Sequence, residues 1–409
     1  MSLISTGRSR LAPFYHIALG ILLCYPIMAI KWVPFGGGAR YLNILAGPLS
    51  LLLLWLAPRN EIRPLLLSAL RWAQPFLPFV LVWVFAQAWH VYDPLDLTPL
   101  TRIVWCALLF SGARLAGVNY RHLAIVAAIG AISYGLVALV EVYGLGRDRA
   151  WGGTYENRFG QYAIWLAALC CLHVVFARPG ERLRGLTYLL LGASLFGLVA
   201  TVLSGARGAL LALFVAFFVI VQQSADRKRA WLIVGGLLVF VLAVCFLYAP
   251  ISDRLGLVFL EIKGYFNDPE FRPTSVGERL ELIRISLLML FDYPLLGPGY
   301  TSIEQLFRTH PALGVPSPEL LQIPGFHNDW SQAIGIGGGV LLAALAGTCI
   351  WLWIAARGDV YRQSFLGFAL IFGLSELFFS NKLGLSLLMV CWALYAAAGA
   401  NQKAMHESH

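Results

Sequence analysis

Leu186–Leu203, LTYLLLGASLFGLVATVL, runs eighteen residues without a charge, and Ala209–Gln222, ALLALFVAFFVIVQ, follows after only Ser204-Gly-Ala-Arg207-Gly208. An apolar run of this kind is what the ~30 Å hydrocarbon core of a bilayer demands of a helix. The apolar residues are continuous rather than alternating, and in lipid every backbone N–H and C=O must be bonded within the segment. The runs therefore read as helices and not as barrel strands.

Outward from this pair the pattern repeats. Further apolar stretches lie at Phe14–Ile30, Tyr41–Leu56, Trp72–Trp89, Arg102–Gly117, Leu123–Tyr143, Gln161–Ala177, Trp231–Ala249, Trp330–Ala356, Phe365–Phe379 and Leu385–Ala400, which makes twelve in all. A length of 409 residues would suggest two to four soluble domains, but 59% hydrophobic against 12% charged residues overrides that prior. A soluble protein carries charge on about a quarter of its residues. The chain is read as an all-α integral membrane protein of about twelve transmembrane helices, with little left for a separate soluble catalytic domain. Arg8 and Arg10 precede the first apolar stretch as in a signal peptide, but no A-x-A cleavage site follows and more spans do, so a retained first span is expected. All seven cysteines fall inside apolar runs, which makes them small core residues rather than disulfide or metal positions.

Basic residues near span ends resist transfer across a membrane and so set orientation. With the N-terminus inside, sixteen of the thirty Lys and Arg residues fall on the inner side, from Arg8 to Lys403. Of the fourteen outside, six (Arg254, Lys263, Arg272, Arg279, Arg284, Arg308) sit in one long loop, and long loops cross largely regardless of charge. With the acids included, the formal net of +9 divides into +11 inside and −2 outside. Anionic headgroups of membrane lipids account for the inner charge, and nucleic acid is not an implied partner. The chain divides into helices one to nine over 1–249, an outer segment over 250–329, and helices ten to twelve with an inner tail over 330–409.

That outer segment is the exceptional connection, since loops of such length usually carry function or structure of their own. Ser275-Val-Gly-Glu278 matches a capping box ahead of GERLELIRISLLMLF, so a helix is expected near 276–291, ended by Pro294 and the glycines after it. The segment closes on Gly325-Phe-His327-Asn-Asp329-Trp330, where the tenth span opens.

Four groups of residues in the outer connections carry possible chemistry. His327 is an imidazole able to take a proton from a hydroxyl if a partner fixes its tautomer; its alternative is a helix-capping role with Asn328 or Asp329, and Asp329 is the rival base. Arg207, flanked by glycine and serine that let a ligand approach the backbone, suits a phosphate; its alternative is a snorkelling anchor. Arg279 and Arg284 share the loop helix. Arg279 sits in the first turn, where the helix dipole disfavours a cation, whereas Glu281 and Arg284 have the spacing of a surface ion pair. Two arginines can clamp a diphosphate and carry leaving-group charge. Arg147, Arg149, Tyr155, Asn157 and Arg158, in GLGRDRAWGGTYENRFG, form a basic and aromatic rim suited to a sugar or phosphate, or simply a solvated interfacial loop. Arg149 and Gly160 have an R-x10-G spacing that chance supplies several times in such a chain. Glu141 and Glu376 are expected to pair with nearby arginines or line the outer cavity, though proton relay in a transporter is their other reading. No Walker loop, GxSxG, HExxH or DxD pair occurs, so ATPase, serine-hydrolase, zinc-peptidase and metal-dependent nucleotide-sugar chemistry lack support.

The SGARGAL turn, the GERLELIRISLLMLFDYPLLGPG segment and HNDW…GIGGG together resemble the O-antigen ligases within the ligase/polymerase superfamily, over about Thr201 to Gly339. The resemblance implies a GT-C-like fold with one long periplasmic loop containing helices, in the bacterial inner membrane, multi-pass, with both termini cytoplasmic and the active site facing the periplasm. It implies metal-independent, cofactor-free glycosyl transfer: O-antigen polysaccharide moves from undecaprenyl diphosphate to a sugar hydroxyl of the lipid A-core. Arg207 and Arg279 would bind the diphosphate and His327 would position or deprotonate the acceptor. The rivals are an O-antigen polymerase using the same lipid-linked donor and a multi-span lipid or solute transporter. Transport predicts polar residues through the midplane of several helices, whereas here they gather at the outer face.

Overall fold

The computed structural model describes Pro13 and residues 47–90, 96–153, 155–177, 183–247, 249–267, 274–299, 303–309, 318–321 and 325–407. The expected first span, the start of the second, and Arg8, Arg10, Arg178, Arg182 and Arg272 lie outside these. Among the described residues all regular structure is helical and none is strand. In order, α1 is Gly47–Trp55, α2 Arg59–Ala73, α3 Leu77–Trp89, α4 Thr98–Leu115, α5 Tyr120–Leu139, α6 Glu156–Phe176, α7 Arg184–Ser204, α8 Arg207–Gln223 and α9 Arg227–Leu247. Then come α10 Ala249–Asn267, α11 Ser275–Asp292, α12 Ile303–Thr309, α13 Pro318–Leu321, α14 Asp329–Ala355, α15 Val360–Ser375 and α16 Lys382–Glu407.

Among the described residues, six of the twelve expected spans fall on helices long and apolar enough to cross a membrane: Arg59–Trp89, Tyr120–Gly144, Glu156–Phe176, Arg184–Ser204, Asp329–Ala355 and Gly384–Ala404. Arg207–Gln223 is apolar but shorter. The expected connection before Trp72 is instead helical from Arg59. Pro75 sits at the start of a 3₁₀ turn, Gln74–Phe76, where its missing N–H costs little, so α2 runs on into α3.

At the centre lies α6, whose most apolar window is 94% buried by protein. It packs against α7, α5 and α8, and α8 packs on α15. Small residues make these approaches possible: a Cβ on Gly197 would lie 2.8 Å from the Ala163 carbonyl and 2.9 Å from the Ala167 Cβ. With lipid tails as apolar as the side chains, close van der Waals packing of this kind is what holds such helices together.

The 250–329 stretch holds more helix than its sequence suggested. The unexpected α10 follows α9 directly and packs on α11. For α11 the cap is Thr274, whose hydroxyl accepts from the Gly277 amide, one residue ahead of the expected Ser275. A second, smaller core joins Leu282, Ile285 and Met289 of α11 to Ile303, Leu306, Leu320, Phe326 and Ile334. Ser286 Oγ donates to Ser331 Oγ at 2.9 Å, so α11 is tied to the first turn of α14.

The GIGGG run breaks α14. Gly338 has φ 59° and ψ −150°, a conformation open almost solely to glycine. Into this break comes the segment after α11: Gly339 N donates to Pro294 O at 2.9 Å and Val340 N to Leu295 O at 3.1 Å. A Cβ at position 338 would lie 2.6 Å from Leu295 O. Gly338→Ala is expected to destabilise the folded state by about 3 kcal/mol, from strain plus the displaced backbone. Gly347→Ala, in the same helix with open space around it, should be neutral or slightly stabilising. Denaturant unfolding in detergent compares the two, and equal midpoints would remove the strain.

Candidate active site

The turn between α7 and α8 is built from small residues because three helices meet there. Gly205 has φ 65° and ends α7 in the left-handed conformation. A Cβ on Gly160 of α6 would overlap Ser204 Oγ and the Ala206 Cβ, and one on Gly208 would overlap Ser375 Oγ at the end of α15. The glycines thus bring the first turns of α6 and α8 against the last turn of α15. Arg207 opens α8 beside them.

Between these ends lies a cavity of about 230 Å³, lined in part by Arg149, Asn157, Arg207, Ser275, Arg279 and Glu376. Arg207 Nη1 stands 3.9 Å from Glu261 Oε2 of α10, and that carboxylate also accepts from the Val276 amide at 3.2 Å. Arg279 Nη1 reaches the hydroxyl of Ser275 at 3.2 Å, and Nη2 lies 3.7 Å from Glu376 Oε1. The Nε of Arg279 is buried without a hydrogen-bond partner among the described residues. Arg149 Nε donates to Ser204 O at 2.7 Å, which ties the 145–153 loop to the turn.

Glu376 is the hub. Its Oε1 accepts from Asn157 Nδ2 at 2.6 Å, and its Oε2 lies 3.6 Å from His327 Nδ1. It follows the last residue of α15, so the expected span Phe365–Phe379 ends early and leaves this carboxylate in the cavity. Burial pushes its pKa up, but His327, Asn157 and the charge of Arg279 together outweigh burial and hold it below the ordinary glutamate value. A depressed carboxylate contributes stability that is full above its ordinary pKa and is lost as pH falls through the depressed one. Wild type is therefore expected to lose thermal stability below about pH 4 more steeply than Glu376→Gln. Parallel melting profiles for the two proteins would refute this electrostatic coupling.

His327 is the only non-glycine residue with positive φ, at 54°, among those described. Its neighbours explain the turn. Phe326 is fully buried, and its N–H donates to Gln332 Oε1 at 3.0 Å. Asn328 caps α14, accepting from the Ser331 amide at 2.8 Å. The imidazole is thus left facing Glu376, and the cap is Asn328. Asp329 is wholly buried, and its carboxylate accepts from the amides of Phe378, Phe379 and Ser380 at 2.7–2.9 Å. It fastens the turn after α15 to the start of α14, which sets Glu376 opposite His327, and it does not line the cavity.

Of the residues singled out from sequence, Arg207, Arg279 and Asn157 line the cavity, and His327 meets it through Glu376. Arg284 instead pairs with Glu281 on α11, the ion-pair alternative, and Tyr265 donates to the same glutamate at 2.8 Å. Arg147 lies 2.8 Å from the buried Glu141, whose other oxygen accepts from the amides of Trp151 and Gly152, so this pair shapes the loop. Arg158 stacks on Tyr155 with its guanidinium 5.2 Å from the ring, outside the cavity lining. Glu141 and Glu376 both pair with arginine, as expected. Arg149, of the same basic loop as Arg147, also lines the cavity, as do Gln161 and Ser275, which went unselected. Among the described residues no group of three or more His, Cys, Asp or Glu is placed to hold a metal ion.

The cluster can bind a diphosphate through guanidinium groups and hold an imidazole in one orientation beside it. The sequence model of a family described as O-antigen ligase matches residues 191–346, which include Arg207, Arg279 and His327. No curated protein matches the chain. Over residues 191–346, which is under half of the chain, the sequence is similar to the O-antigen ligase family.

Proposed function

We propose that this chain is an O-antigen ligase, a glycosyltransferase that moves O-antigen polysaccharide from undecaprenyl diphosphate to a lipid A-core sugar hydroxyl without metal or nucleotide. The observation that carries the reading is Glu376, which lies 3.7 Å from Arg279 and 3.6 Å from His327 and so joins a candidate diphosphate arginine to a candidate base. In this reading 250–329 is a periplasmic segment, 1–249 and 330–409 are the membrane parts, both termini are cytoplasmic, and the site faces the periplasm of the bacterial inner membrane.

The chemistry follows from the groups. The acceptor oxygen attacks the anomeric carbon of the donor, and the bond from that carbon to the diphosphate oxygen breaks. The electron pair leaves on the diphosphate, where Arg207 and Arg279 stabilise the charge in a site walled by protein. Glu376, 3.6 Å from His327 Nδ1, favours the proton on that nitrogen, which turns Nε2 to the task of accepting the hydroxyl proton. Asn157 and Arg279 hold Glu376 in place, and Asp329 holds the backbone around it. Arg284, Arg147, Arg158 and Tyr155 belong to the outer rim, where the polysaccharide and the core sugars would pass. The donor is already activated, so orientation, positive charge and a base are sufficient.

Transfer by the purified protein from lipid-linked donor to core acceptor is expected to proceed undiminished in EDTA. Activity that appears only on adding a divalent cation would overturn the arginine-based scheme.

A further inference from the structure

At the end of the bundle away from Glu376 lies a second basic cavity, of about 370 Å³. Sixteen residues of α15 separate Asp359 from Glu376, so the two sites are roughly 24 Å apart at 1.5 Å per residue. Arg357 follows α14, Arg362 is in the first turn of α15, and Lys403 is near the end of α16; all three line the cavity. Its single acidic lining residue, Asp359, is already engaged: it lies 2.7 Å from Arg362 Nε and accepts from the Tyr120 hydroxyl at 2.8 Å. That pairing neutralises Arg362 and leaves the charges of Arg357 and Lys403 over a floor of stacked Tyr120 and Tyr361 rings, 3.9 Å between centroids. An adjoining cavity shares Tyr120, Phe176, Tyr361 and Gln402, and adds Arg121 without an acid.

The approach to this cavity is apolar. The last turns of α14 before Arg357 expose Ile350, Trp351, Trp353 and Ile354. Tryptophans followed by a cation are the arrangement of a membrane interface, where rings lie at headgroup depth and basic side chains meet lipid phosphates. An acyl chain lying along Ile350 and Ile354 would bring its headgroup to Arg357. We propose that this cavity binds the phosphate of an anionic glycerophospholipid, a site separate from the one proposed for glycosyl transfer and independent of that function.

The test uses the full-length protein in neutral detergent, with native mass spectrometry and thermal unfolding as readouts, and with phosphatidylglycerol, phosphatidylcholine or inorganic phosphate added. Phosphatidylglycerol is expected to bind and to raise the unfolding temperature, while phosphatidylcholine does neither. Arg357→Gln with Lys403→Gln should weaken phosphatidylglycerol binding about 25-fold, at about fivefold for each lost charge. Arg59→Gln with Arg63→Gln removes the same net charge from α2 and should change it less than about twofold. Equal weakening by both pairs, or none by the first, overturns the site. Equal stabilisation by inorganic phosphate overturns the lipid as its occupant and makes it a free-phosphate site.

Discussion

Replacing His327 by alanine is expected to lower polysaccharide transfer in vitro by about 10²–10⁴-fold, the usual contribution of a positioned general base. The lipid-linked polymer should accumulate at full length while lipid A-core stays uncapped. Loss of a polymerase would instead shorten the polymer on its carrier, so the length distribution on the carrier separates the two enzymes of the superfamily. Alanine keeps the Cβ that φ 54° strains, so His327→Ala neither adds nor relieves backbone strain and the variant should fold about as stably as wild type. An inactive but well-folded protein is then the expected phenotype, and near-normal capping by it would remove the imidazole from the mechanism. Glu376→Gln provides a companion. It keeps the shape of the contact and removes its charge, so activity should fall by less than in His327→Ala.

The second large effect is expected at the arginines. Arg279→Ala and Arg207→Ala should each reduce the transfer rate by about 10²–10³-fold, as loss of a donor to a developing anion does elsewhere. Lysine is not an equivalent replacement, because a planar guanidinium holds two oxygens at once and an ammonium acts as a point charge. Arg279→Lys should therefore recover only part of the rate. Arg279→Ala carries an additional consequence, since it removes the cation beside Glu376 while Asn157 and His327 stay close, and should raise the glutamate pKa. Arg284→Ala, by contrast, breaks an ion pair within one helix and should change the rate little. If Arg284→Ala were as damaging as Arg279→Ala, the assignment of the diphosphate to the cavity would fail.

The residues differ in how legible they were, for physical reasons. The helix over 275–292 was readable because its cap, its apolar face and its stop at Pro294 are contiguous; only the choice between Thr274 and Ser275 as cap needed the structure. Arg207 was readable because an arginine among small residues between two apolar runs has few places to go. Glu376 was visible as an acid inside an apolar run, but that it faces His327 depends on α15 ending at Ser375 and on the Asp329 carboxylate gathering three amides 49–51 positions away. Arg149 gave no local signal that it turns toward Ser204. The break in α14 was hidden as well, since GIGGG is compatible with a continuous apolar helix until the Pro294–Leu296 segment is placed beside it.

What the amino-acid order determined alone was the membrane character and the helical class. These depend on the length and continuity of apolar runs, and the bilayer leaves a chain of that kind no other way to satisfy its backbone. Only the tertiary structure decided which polar residues meet. Four helix ends, from α6, α8, α11 and α15, converge on one cavity because small residues allow close packing at a few positions, and whether two helices approach there depends on both surfaces at once.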